Sequence, residues 1–326
     1  MSAPHLIAGF AAFLVAGALV PVLARFAVGR NLLDVPNLRS SHEVPTPRLG
    51  GVAFLAGTWA GFALLLPREG WPLLLAATLM WAVGLVDDLS GLGFKTKAAA
   101  QALLAAALLA LHPPALLAGA PGALGVAVFA VGVLWIVALC NAYNFMDGID
   151  GITGGVAVIN ALSLWAIAGE AFLPALVGAT LGFLVWNIGP ASMFCGDSGS
   201  YFLGFGLAAV ALYAPLPEGG WSPVPFVACA LVFTPYLFDT GYTLVRRARA
   251  GKNVFSAHRE HVYQRITPTT RMHRRTSNLY YGASVVAGLA ALLVAEGTVV
   301  SLAAGVALAL GLCALVAALP RLVRTG

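Results

Sequence analysis

The sequence predicts an all-α, polytopic integral-membrane bundle of about eleven transmembrane helices, with its polar groups gathered at the cytoplasmic face. Three observations carry that expectation. Hydrophobic residues make up 60% of the 326-residue chain against 10% charged, and the mean hydropathy is +0.89, the balance of a chain living mostly in lipid. Apolar runs follow one another from end to end, and Lys and Arg fall almost entirely on alternate connections.

The first run, near 5 to 27, has neither a basic stretch before it nor a clear small-residue cleavage site, so it reads as a retained span and not a signal peptide. Runs near 49 to 66 and 72 to 86 follow, the second ending on Val86-Asp87-Asp88-Leu89. Those near 97 to 111 and 122 to 140 lead into the polar stretch Asn141 to Gly151, and those near 152 to 168 and 171 to 188 lead to Cys195 to Ser200. Spans near 199 to 214 and 224 to 245 precede the basic connection from Arg246 to Arg275, and spans near 277 to 295 and 298 to 319 complete the set. Several fall short of the ~20 residues of a perpendicular span and call for local thinning or borrowed flanking residues. Nothing marks a separate soluble domain, so residues 1–326 read as one integral-membrane domain.

With the N-terminus placed outside, every one of the 18 Lys and Arg residues except Arg68 falls on the inner side, as the positive-inside rule requires of cytoplasmic loops. The net charge of +5 thus reflects topology and contact with anionic lipid, and nucleic acid is not an expected partner. Asp34, Asp87, Asp88, Asp147, Asp150, Asp197 and Asp239 all lie on or near that same side. The four cysteines are widely spaced, lack a C-x-x-C pair, and read as buried small hydrophobes.

Carboxylates at a membrane boundary are expensive to desolvate and mark ion or substrate sites. Asp87 and Asp88 face both each other and the negative end of a helix dipole, an unfavourable placement that suits a phosphate or metal role. In Asn144-Phe-Met-Asp147-Gly-Ile-Asp150-Gly151 the polar side chains share one face if the segment is helical; the plainer alternative is a capping acid followed by a glycine turn. Gly196-Asp197-Ser198-Gly199-Ser200 opens a span, so Asp197 or Ser198 is either an N-cap or part of a phosphate cradle with a carboxylate for a hard cation. His258 and His261 would share a helical face, but no third ligand is spaced to complete a zinc site. A diphosphate-binding group or a basic interfacial segment fits better. Arg39 and Arg48 suit either phosphate binding or membrane anchoring, and Asp239 is an acid inside a mostly apolar run.

Taken in order, Arg39-Ser-Ser-His42 with Pro45-Thr-Pro-Arg48, Asp87-Asp88 followed by Lys97 and Gln101, Asn144-x-x-Asp147-Gly-x-Asp150-Gly151, Gly196-Asp197-x-Gly199-Ser200 and Ala257-His-x-x-His261-x-Tyr-Gln264 resemble the polyprenyl-phosphate N-acetylhexosamine-1-phosphate transferase family. Leu49 departs from the run of three glycines expected after Arg48. The resemblance implies a bacterial inner-membrane enzyme with a cytoplasmic active site. Its reaction would move a sugar 1-phosphate from a UDP-N-acetylhexosamine to polyprenyl (undecaprenyl) phosphate, as the first membrane step of a surface glycan such as O-antigen. It implies Asp87, Asp88, Asp147 and Asp150 as catalytic residues, Asn144 and Asp197 as ligands of Mg2+, with Mn2+ as a substitute, and Arg48, Lys97, His258, His261 and Arg265 as substrate contacts. Because two anionic reactants meet among aspartates, a divalent cation is expected. The alternatives are the muramyl-pentapeptide branch of the family, which the paired-histidine segment fits less well, and a multi-span secondary transporter, whose polar groups would gather near the midplane. The oligomeric state is open, a homo-oligomer included.

Overall fold

The computed structural model describes residues 2–36, 44–65, 70–254, 256, 258–267 and 272–322. Arg39, Ser40, Ser41 and His42, together with Arg68 and Ala257, lie outside the described residues. Each of the eleven apolar runs contains a helix: α1 (Ala3–Gly29), α2 (Gly50–Leu65), α3 (Trp71–Ser90), α4 (Phe94–Leu111), then, after the short α5 (Ala115–Ala118), α6 (Ala123–Met146), α7 (Ile152–Ala168), α8 (Leu173–Asn187) and α9 (Gly196–Leu212). The remaining runs give α10 (Val224–Leu231) with α11 (Thr234–Arg249), and, beyond the one-turn α12 (Val262–Arg265), α13 (His273–Ala295) and α14 (Val299–Leu322). A two-residue antiparallel pair, β1 (Leu33–Asp34) with β2 (Thr46–Pro47), links α1 to α2, Leu33 facing Pro47 and Asp34 facing Thr46.

Among the described residues six helices are long and apolar enough to cross a membrane, namely α1, α3, α4, α6, α13 and α14, and seven if α10 and α11 count as one span. The remaining apolar helices have 15 to 17 residues, so helix content agrees with the expected eleven segments while eleven full crossings are not established. The run near 224 to 245 needs correction. It breaks between Leu231 and Thr234 and bends by 76°, with Pro235 opening α11, where its missing N–H is tolerated but a continuous helix is not. Beyond the bend the chain turns polar, carrying Asp239, Arg246, Arg247 and Arg249.

α9 is the centre of the bundle. Every residue from Ser198 to Leu212 is buried, and the helix packs against α2, α3, α6, α7 and α10. Small residues let the backbones approach, since at close helix contacts side-chain volume sets the separation. One such approach governs the site: a Cβ on Gly84 would lie 2.6 Å from the Asp197 carbonyl oxygen. Outside this centre α1 packs on α8 and α2, and α13 on α14, α7 and α10. Outward-facing Leu103, Val126 and Leu134 are largely exposed, an apolar exterior suited to hydrocarbon. Cys140, Cys195 and Cys229 are buried and Cys313 is half-buried, all unpaired thiols.

The same substitution at two glycines separates close approach from helix propensity. Gly84→Ala should destabilise the protein by about 1–3 kcal/mol through overpacking against backbone. Gly206→Ala, whose added methyl would meet only the Ala77 side chain at 3.5 Å, should be neutral or stabilising by up to about 1 kcal/mol. Thermal unfolding of the two variants in detergent micelles checks both signs.

Candidate active site

The end of α3 and the start of α9 are joined by one carboxylate. Asp88 Oδ1 accepts from the Asp197 amide at 2.9 Å, and its Oδ2 accepts from the Ser198 amide at 3.0 Å and the Ser198 hydroxyl at 2.8 Å. α9 has no side-chain cap of its own, and Gly196 enters it with φ of +76°, so the orphan donors of its first turn are satisfied from another helix. A side-chain cap of this kind is worth about 0.5–2 kcal/mol. Arg48 braces the arrangement by donating to the Asp88 carbonyl oxygen at 2.8 Å. Asp88, expected as a catalytic group, is therefore buried and committed to holding Asp197 in place.

Asp87, its neighbour, faces a cation. Lys97 from the first turn of α4 donates to Asp87 Oδ2 at 2.7 Å and lies 3.4 Å from Asp197 Oδ2. Asp87 Oδ1 also accepts from the Leu92 amide at 2.6 Å, which closes the α3–α4 turn. From the last turn of α6 the Asn144 amide nitrogen donates to Asp197 Oδ1 at 2.9 Å and to the Ser200 hydroxyl at 3.1 Å. Asp87, Lys97, Asn144 and Asp197 thus form one connected group at a single end of the bundle. Among the described residues no three His, Cys, Asp or Glu side chains form a preformed metal cage. Mg2+ does not need one, since it is held by one or two carboxylates plus water and substrate phosphate. Asp87 and Asp197 already converge on one positive charge, that of Lys97, and the Asp197 side chain keeps 32% of its surface exposed; the donor set fits a hard cation.

The expected helical face of residues 144, 147 and 150 does not form. α6 stops at Met146, and Gly151, at φ +75°, starts α7, so Asp147 and Asp150 sit on a turn and point apart. Asp147 keeps part of its surface open yet lies deep among protein atoms; that desolvation pushes its carboxyl up to about 7, and the charge of Asp88 adds to the rise. Asp150 turns to the opposite side, where its Oδ2 accepts from the Ala191 amide at 3.2 Å and its Oδ1 lies 3.3 Å from Nδ1 of His273. Its carbonyl accepts from Ser277 at 2.8 Å. His273 was hidden in the sequence among basic residues that topology alone explains.

The histidine segment also corrects its expectation: helix begins only at Val262, so His258 and His261 share no helical face. Their rings nonetheless lie 5.0 Å apart, and His261 packs on Phe145 at 5.8 Å. Tyr263 donates to the Phe145 carbonyl at 3.0 Å, seating the segment beside Asn144. Burial lowers the His258 imidazole to about 4, with His261 and Arg247 adding to the effect, so the ring is neutral near pH 7. Glu260 accepts from Arg247 and from Lys252 at 3.0 Å and so offsets part of the local positive charge. Arg265 lies on α12 in the same segment.

The sequence model described as Glycosyl transferase family 4 matches residues 71–214, from α3 to the end of α9, the stretch that holds Asp87, Lys97, Asn144 and Asp197. The chain is 32% identical over 289 residues to the decaprenyl-phosphate N-acetylglucosaminephosphotransferase of Mycobacterium tuberculosis, covering 76% of this chain and 71% of the relative. It belongs to the polyprenyl-phosphate N-acetylhexosamine-1-phosphate transferase family. A protein of Bacillus subtilis named probable undecaprenyl-phosphate N-acetylglucosaminyl 1-phosphate transferase is 25% identical over 299 residues, 86% of this chain and 82% of its own. The phospho-N-acetylmuramoyl-pentapeptide-transferase of Pelotomaculum thermopropionicum is 36% identical over a shorter 232 residues, 61% of this chain and 71% of the relative.

Because the folded state holds the Asp147 proton up to about pH 7, whereas an unfolded chain releases it near pH 4, the native protein binds the extra proton between those values. Stability contributed by this group is complete below pH 4 and falls as pH rises toward 7. Asp147→Asn should therefore raise the apparent melting temperature at pH 8 and leave it nearly unchanged at pH 4, as thermal-shift curves at the two pH values will report.

Proposed function

We propose that this transferase moves an N-acetylhexosamine 1-phosphate from a UDP-sugar to polyprenyl phosphate, releasing UMP, on the cytoplasmic side of a bacterial plasma membrane. The observation that carries the reading is the Asp87–Lys97–Asp197–Asn144 group at one end of an apolar bundle, where a lipid-borne phosphate and a water-soluble nucleotide can meet. The names of the Mycobacterium and Bacillus relatives supply the acceptor and sugar class. A transporter would gather its polar groups near the midplane; here they sit at helix termini.

An oxygen of the lipid phosphate attacks the sugar-linked phosphorus, the bond from that phosphorus to the bridging oxygen breaks, and UMP leaves with that oxygen and its electron pair. The product is a lipid diphosphate-linked sugar. The acceptor is a phosphate monoester with a second pKa of about 6 and is largely dianionic near pH 7, so its orientation matters more than removal of a proton. Lys97 orients that phosphate, aided by Asp87, while Asp88 keeps Asp197 in position. Asp197 and Asn144 would hold Mg2+, which when bound would offset charge between the two anionic reactants. Asp147 lines the same site. His258, His261 and Arg265 receive the nucleotide diphosphate, His258 as a neutral donor, and Arg48 closes the rim beside Asp88. Asp150, turned toward His273, shapes the turn that carries Asp147. The muramyl-pentapeptide nucleotide remains the second donor reading, on the 36% identity to the Pelotomaculum protein.

Attack at phosphorus makes a clear demand on the bonds. With oxygen labelled between C1 of the sugar and phosphorus, the label should stay in the lipid product, with UMP released and the anomeric configuration retained. Release of labelled UDP and a product with one phosphate would sink phosphosugar transfer. Asp197→Asn should stay folded and lose Mg2+-dependent UMP release by about a hundredfold or more, the order expected for removing one stabilising group at a reacting centre.

Topology can be checked independently. Lys252→Cys, at an exposed position in the basic connection, should react with an impermeant maleimide only in inverted vesicles. Labelling from the outer face of intact cells would place the site on the wrong side for a cytoplasmic nucleotide.

A further inference from the structure

Asp239 is wholly buried on α11, just past the bend, and takes no part in the reaction proposed above. Five donors converge on its two oxygens. Oδ1 accepts from the Val262 amide at 2.7 Å and the Thr243 hydroxyl at 3.3 Å, and faces His261 Nδ1 at 3.3 Å. Oδ2 accepts from the Tyr263 amide at 3.0 Å and from the Tyr280 hydroxyl of α13. No Lys or Arg is among the partners just named, and each of these contacts has a consequence. The two amides are the orphan donors at the start of α12, so Asp239 ties that turn to α11. Tyr280 ties the same carboxylate to α13. A carboxylate oxygen only accepts, so a hydrogen bond across this 3.3 Å contact requires the proton on Nδ1, which leaves Nε2 as the nitrogen that can meet a ligand.

We propose that Asp239 is a positioning residue for the nucleotide half of the site: it fixes the Nδ1-protonated form of His261 and seats the segment from His258 to Gln264 against Phe145, next to Asn144. This rests on the reading of that segment as the nucleotide contact. Packing alone does not account for the arrangement, because an apolar residue at 239 would leave both α12 amides without an acceptor. An amide at 239 would serve one pair of donors while turning its NH2 against the other.

The test uses the full chain in lipid nanodiscs with ring-15N-labelled histidine, His261 being assigned from the signal lost in His261→Gln. Wild-type His261 should carry its proton on Nδ1. Asp239→Asn should shift it toward Nε2 and weaken UMP binding, measured by calorimetry, on the order of tenfold, the loss expected for one orienting hydrogen bond to a charged group. The KM for the UDP-sugar should rise with it, while that for polyprenyl phosphate stays put; Asp239→Glu should restore the Nδ1 proton. A wild-type His261 protonated only on Nε2 would overturn the proposal without any variant, and so bears on it even if Asp239→Asn does not fold. An equal rise in both KM values, or unchanged UMP affinity in a folded variant, would reduce Asp239 to a structural residue. If no UDP-sugar supports turnover, the functional reading fails on its own, and the tautomer measurement still decides whether Asp239 orients His261.

Discussion

Three hydrogen bonds from the start of α9 to the Asp88 carboxylate hold the site together. They cross from one helix terminus to another 110 residues away, and they work only because Gly84 lets α3 lie directly against the first turn of α9. Once the two helices are locked in this way, Asp197 stands beside Asp87, and Lys97 bridges the pair. A carboxylate at a helix N-terminus also meets the positive end of the macrodipole, so the cap and the local field act in the same direction. The polar group is in this sense an extension of helix packing.

The second half of the site is assembled differently. The Asn144–Asp147 region arrives on α6, and the histidine segment arrives on α12; Tyr263 and Phe145 join them. Polar groups at this junction are buried and multiply hydrogen-bonded, as at Asp239, whereas Asp197 keeps an open surface. The contrast separates closely held groups from one left open to solvent. A half-open carboxylate next to a cation, as Asp197 is, can exchange partners during a reaction, whereas a buried carboxylate with several donors is fixed in one geometry.

Much of this was legible in the chain. Long apolar runs report helices directly because a lipid-facing surface demands them, and each of the eleven runs holds one. The bend between α10 and α11 was not, since apolar residues continue across Leu231 to Phe233 and only Pro235 hints at a break. Motif spacing located Asp87, Asn144 and Asp197 correctly as neighbours. It gave no sign that Asp88 caps α9 or that Asp150 faces His273, because a carboxylate looks the same in a sequence whether it meets a substrate, a helix terminus or a histidine. The three-residue spacing of 144, 147 and 150 suggested a helical face, but Gly148 and the left-handed Gly151 made the turn instead. His273 depends on contacts between distant segments and carries no local signal, whereas Asp239 stands out as an acid in an apolar run although its partners do not.

The burial of α9 from Ser198 to Leu212 has a consequence for how the protein is made. A segment with no lipid-facing side gains little from hydrocarbon, and one that begins with Gly-Asp-Ser-Gly-Ser is a poor guest for an empty bilayer. What receives it is chiefly a socket of α2, α3, α6 and α7, all of which precede it in the chain, while α10, which also packs on it, follows. Synthesis from the N-terminus therefore delivers the socket before its occupant. The Asp87–Lys97–Asn144–Asp197 group comes together only when the ninth helix meets these earlier ones, and α10 closes the remaining side afterwards.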